Sequence, residues 1–76
     1  MFKSLKLYAG QQIKPKQLAS DLAGFGYSRQ EQAAEEGDFS LRGEVMDIYP
    51  ASFECPIRLV FDFDKIESIS SIDPAL

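Results

Sequence analysis

Gly37-Asp38-Phe39-Ser40-Leu41-Arg42-Gly43-Glu44-Val45-Met46-Asp47-Ile48-Tyr49-Pro50 is the stretch from which the rest of the chain is read. Its side chains alternate. Phe39 and Leu41 point one way, Ser40 and Arg42 the other, and after Gly43 the alternation resumes with Met46 and Ile48 on one side. Period-2 alternation places one set of side chains on each face of a pleated strand. The glycine inside the pattern predicts a bulge or a tight bend. Pro50-Ala51-Ser52 closes the unit.

Downstream, Ile57, Leu59, Phe61 and Phe63 alternate with Arg58, Val60, Asp62 and Asp64, the clearest strand signal in the chain. Asp62-Phe63-Asp64-Lys65 predicts a turn and Ile66 to Ile72 a last strand, ended by Asp73-Pro74. Upstream, Pro15 suits the first position of a helix, and Leu18, Ala19, Leu22 and Phe25 recur at helical spacing. Gly24 and Gly26 supply a stop. The expected helix is Pro15 to Ala23. Residues 27 to 34 combine helix-forming Gln30-Glu31-Gln32-Ala33-Ala34 with flanking turn signals, and read equally as helix or strand. Lys3 to Tyr8 alternates and predicts a short first strand, followed by a turn over Ala9-Gly10-Gln11-Gln12. The sum is α+β: one domain over residues 1–76, a small antiparallel sheet with one or two helices packed on one face.

Composition then removes function classes. With 76 residues there is room for a limited core but not for a nucleotide-hydrolysing motor. There is no histidine, and Cys55 is the only cysteine. An imidazole base, a Cys/His nucleophile pair, an internal disulfide and the usual nitrogen-and-sulfur zinc site are therefore excluded. The five glycines match neither phosphate-binding nor dinucleotide-binding spacing. Eight cations against twelve anions, net charge −4, argue against nucleic acid as the main partner. No apolar run approaches the ~20 residues of a membrane span, and the start lacks a signal peptide's apolar block, so the chain is expected to be cytoplasmic, with no membrane partner. No cofactor or metal is implied. The carboxylate pair Asp62 and Asp64, alternate residues that could share a strand face, reads as a solvated turn. Asp47, inside a strand pattern, reads as an acid satisfied by a backbone group or an arginine. Cys55, beside Glu54, reads as a passive loop thiol.

The arginines carry more information. Only Arg29, Arg42 and Arg58 are present, against five lysines. Arginine forms planar two-point contacts with carboxylates and is enriched at interfaces. Alternation puts Arg42 and Arg58 opposite the core-facing side chains, on the open face of the sheet. There they either meet a partner or pair across strands with Glu44, Asp47 or Asp62.

The stretch from Gly37 to Pro50 also resembles the signature of the UvrB interaction domain. That signature opens on glycine, an acid and phenylalanine, has arginine-glycine at its centre, and closes on an acid, an aliphatic, an aromatic and proline. The resemblance continues upstream through Gly10-Gln11, Leu18, Leu22 and Gly26-Tyr27-Ser28-Arg29. Downstream it runs through Pro56-Ile57-Arg58-Leu59, Ile66-Glu67-Ser68-Ile69 and Asp73-Pro74, so it covers nearly the whole chain. The domain is shared by UvrB and the transcription-repair coupling factor; Gly26-Tyr27 and Glu36-Gly37-Asp38 look closer to the latter. The resemblance implies a non-catalytic module, monomeric as a fragment, that binds UvrA, the damage-recognition ATPase of nucleotide excision repair. By position it implies partner-binding roles for Arg29, Arg42 and Arg58. Ser40 stands where UvrB has a further arginine, so part of that cluster is missing. The family usually places an acid and then two aromatics after the Arg58-Leu59 step; Val60 and Asp62 depart from this. The competing expectation is a structural or intramolecular-docking domain whose arginines are paired internally.

Overall fold

The computed structural model describes residues 6–51 and 53–72. The elements in chain order are α1 (Pro15–Gly24), β1 (Ser28–Arg29), β2 (Asp38–Arg42), β3 (Val45–Ile48), β4 (Ile57–Asp62) and β5 (Lys65–Ser71). They build one five-stranded sheet in sequence order. Strands β2 to β5 form an antiparallel meander, while β1 pairs parallel to β2, so the sheet departs from the expected fully antiparallel one at its first edge.

The helix starts where proline allows it. Lys14, restricted by the following Pro15, is extended (φ −75°, ψ 141°), and Leu18 N–H donates to its carbonyl at 3.0 Å. The end is set by Gly26, at φ +102°. Tyr27 N–H reaches the Leu22 carbonyl (2.9 Å) and Gly26 N–H the Ala23 carbonyl (3.2 Å), the paired bonds of a Schellman stop, which glycine accommodates without strain. The helix ends one residue later than expected.

Beyond that stop, residues 30–37 form no helix. Ser28 N–H and Gln30 N–H donate to the carbonyls of Gly37 and Phe39, which makes β1 a strand of two residues. The Asp38 carboxylate accepts from Glu35 N–H (3.0 Å) and closes the loop. A longer helix would have withdrawn these backbone groups from β2. The expected strand at 3 to 8 lies partly outside the described residues; Lys6 to Tyr8 form no strand. The N-terminal segment meets the sheet later, through Gln12 against Lys65.

The core is built from alternate residues. Leu18, Ala19 and Leu22 of α1 bury into one cluster with Tyr27, Phe39 of β2, Met46 and Ile48 of β3, Leu59 and Phe61 of β4 and Ile66 of β5. Gly43 is a tight bend rather than a bulge: the hairpin closes on Arg42 opposite Val45, with Gly43 at φ +57°. The bulge lies instead between β4 and β5. Val60 pairs with Ser68 but Phe61 with Ile66, leaving Glu67 unopposed. Ile66 and Ile69 are three residues apart and would face opposite sides of a regular strand. The extra residue turns both toward the core and keeps the Glu67 carboxylate out of it.

Candidate protein-binding face

The register of the meander decides which polar groups meet. Ser40, Asp47, Arg58 and Ser70 stand opposite one another on successive strands, and Arg42, Val45, Val60 and Ser68 form the next row. Both rows lie on the side away from Leu59 and Met46. Arg42 and Arg58 therefore share the face that alternation assigned to them.

Their electrostatic situations differ. Arg58 forks onto Asp47: Nε donates to Oδ1 at 2.9 Å and Nη2 to Oδ2 at 3.2 Å, with the two side chains 49% and 20% exposed. The Asp47 hydrogen bonds and charge push the Arg58 guanidinium above its ordinary value, holding it charged. The charge of Arg58 is thus matched within the chain. Asp47 is satisfied by an arginine, one of the two readings its position allowed. Arg42, exposed, donates from Nη2 to the neutral carbonyl of Glu31 at 3.1 Å. That bond orients the guanidinium and leaves its positive charge uncancelled; no ion pair to Arg42 occurs among the described residues.

Ser40 is 5% exposed. It lines a hollow together with Glu31, Gln32, Ala33, Arg42, Asp47 and Arg58. Alternation assigns Ser40 to this face but carries no information on its burial, which depends on neighbours distant in the chain.

Arg29 is exposed on the edge strand β1. Pairing with Phe39 turns it toward the core side of the sheet, where it borders a hollow with Ala19, Ser20 and Ala23. It also borders a second hollow with Gln30, Glu31, Leu41 and Arg42. Arg29 and Arg42 thus flank one edge from its two sides, while Arg58 lies further along the open face. A groove continuing from Arg29 includes Lys14, Lys16 and Phe63, which no local pattern in the chain links. Val45 and Val60, directly opposed, place an apolar pair beside Arg42.

The remaining candidates stay apart. Asp62 ends β4 and faces solvent, and Asp64 accepts a hydrogen bond from Gln12 at 3.4 Å. Among the described residues no group of three or more His, Cys, Asp or Glu is placed to hold a metal, and no helix is long and apolar enough to cross a membrane. Cys55 is a half-buried free thiol.

The face thus sets an unmatched guanidinium beside an internally paired one, and the chain is similar to known proteins along most of its length. A transcription-repair-coupling factor from Bacillus subtilis is 39% identical over 67 residues, covering 88% of this chain and 6% of that protein. A UvrABC system protein B from Kosmotoga olearia is 42% identical over 71 residues, covering 93% of this chain and 11% of that protein. A second coupling factor, from Borreliella burgdorferi, is 33% identical over 69 residues and 91% of this chain. The chain spans about a tenth or less of the curated relatives it matches. The family model described as the UvrB interaction domain matches residues 5–76, and with that coverage the chain belongs to the UvrB interaction domain family, whose members include these DNA-repair proteins.

Proposed function

We propose that this chain is a non-catalytic module that recruits UvrA in nucleotide excision repair, in the manner of a transcription-repair coupling factor. The helix covers one face of the sheet and the other carries the partner surface. The observation that carries the reading is Arg42: an exposed guanidinium, oriented by a neutral carbonyl and unmatched by any acid among the described residues. Such a group, desolvated against a partner carboxylate, contributes about 2–5 kcal/mol as read by truncation. Arg29 adds a second positive charge across the sheet edge. Arg58 acts differently from the other two. Its charge is already met by Asp47, so it offers its remaining N–H donors and a shaped surface rather than net charge. Ser40 supports the floor of the face from beneath. The module works as a monomer, in the cytoplasm, without a cofactor.

Calorimetry of the chain with purified UvrA, wild type beside Arg42→Ala, tests the reading. Binding by the wild type and its loss in the variant, with an unchanged circular dichroism spectrum, is the expected result. Equal affinity for both removes Arg42 from the interface.

The Arg58–Asp47 fork favours a second reading, an intramolecular docking domain with its arginines satisfied internally. That reading accounts for one arginine of three. It predicts no heat with UvrA for the wild type.

A further inference from the structure

Phe63 occupies a conformation that its side chain disfavours and that packing does not reward. It is the first residue of the two-residue turn joining β4 to β5, with φ +56°. Positive φ in a bulky residue is uncommon and strained, and glycine is the usual occupant of such a turn position. The ring is 88% exposed, so burial within the chain does not offset the strain. Strain that persists without an internal reward points to an external one.

The surroundings say what kind of partner that is. The turn borders a groove of about 680 Å³, room for several side chains rather than a single ion, formed by Lys14, Lys16, Arg29, Leu41, Phe63 and Asp64 among others. Three of these are cations and one is an acid, in a chain of net charge −4. No ion pair to Lys14, Lys16 or Arg29 forms among the described residues. The groove therefore concentrates unmatched positive charge around an apolar projection, and it runs through Arg29 into the hollow that Arg42 borders.

We infer that the partner footprint extends from the arginine face around the sheet edge to this groove. There Phe63 serves as an apolar anchor entering a carboxylate-rimmed pocket of the same partner. This rests on the UvrA reading above. Aromatic anchors ringed by polar contacts are the usual carriers of interface energy, and charge complementarity selects the acidic rim.

The test is calorimetry with purified UvrA using wild type, Arg42→Ala, Phe63→Gly, Phe63→Tyr and the double variant Lys14→Glu/Lys16→Glu, each also melted alone. Phe63→Gly is expected to weaken binding about tenfold or more while raising the chain's own Tm, since glycine relieves the turn. Phe63→Tyr keeps the anchor and retains affinity close to wild type. The double charge reversal weakens binding with little change in Tm. Phe63→Gly binding as tightly as wild type, with Arg42→Ala still defective, overturns this inference and leaves the recruitment reading standing. A wild type that gives no heat with UvrA removes the recruitment reading, and this inference with it.

Discussion

Two hairpin turns in this sheet share a positive φ at their first residue and have opposite chemistry. Gly43-Glu44 joins β2 to β3 and Phe63-Asp64 joins β4 to β5, each as a two-residue loop whose first residue alone has positive φ, +57° and +56°. At Gly43 there is no Cβ to strain. At Phe63 the backbone is forced on a bulky side chain that projects into solvent. Each turn also touches the candidate interface, the first through its flanking Arg42 and the second at its tip. The two therefore separate what folding requires from what folding tolerates: glycine serves the backbone in one, and in the other the backbone bends to present a ring.

The largest expected effect sits beside the relaxed turn. Arg42→Ala should cost about 2–5 kcal/mol of UvrA binding while leaving the urea midpoint of the chain unchanged, because its carbonyl bond to Glu31 is at the surface. Within the first turn, an added Cβ at Gly43 has nothing within 4 Å to meet, so any penalty is purely one of backbone conformation. Gly43→Ala should then destabilise the chain by about 1–2 kcal/mol in urea unfolding, the left-handed penalty of an L residue; a neutral outcome would mean that the turn relaxes into another type. The strained turn should respond in the opposite sense and more weakly. Phe63→Gly gains back about 1–2 kcal/mol of left-handed strain and loses about 0.5–1 kcal/mol to glycine's unfolded-state entropy, for a net gain of under about 1.5 kcal/mol. A loss of stability would show that Phe63 packs internally and would dissolve the contrast. Smaller still, Asp47→Asn removes a partly exposed ion pair and should cost less than about 1 kcal/mol, measurable in the same unfolding series.

The smallest effect is one of pH. The Arg58 guanidinium is raised by Asp47, so its contribution is complete below the unfolded value and is lost only as pH rises through the folded one. Both lie far above neutrality. Unfolding of wild type and Arg58→Gln, compared from about pH 6 to 9, should therefore differ by a constant. A difference that changes across this range would place another titrating group against Arg58.

Much of this was legible along the chain. Ile57, Leu59 and Phe61 announced their strand by alternation, Pro15 and Gly26 bracketed the helix by backbone rules that involve no distant residue, and Arg42 and Arg58 were assigned to the open face by counting. The spacing of Ile66 and Ile69 also encodes the bulge, since two core residues three apart cannot share a face of a regular strand. The helix-forming run 30–34 misled in the other direction. Its first residue, Gln30, instead donates its N–H to the Phe39 carbonyl of β2, which holds the start of the run extended beside that strand.

Sequence alone determined the elements that depend on local chemistry: the helix with its two ends, the alternating strands, and a break in the strand pattern at Gly43. Tertiary structure alone decided which charges cancel and which remain. Asp47 neutralises Arg58 because the β3–β4 register sets them opposite each other. Ser40 is buried although its strand position faces the open side, and Arg29 joins Lys14, Lys16 and Phe63 because helix, edge strand and hairpin converge. Local chemistry acts between neighbours in the chain, whereas net charge at a surface depends on which distant residues folding brings within a few ångströms.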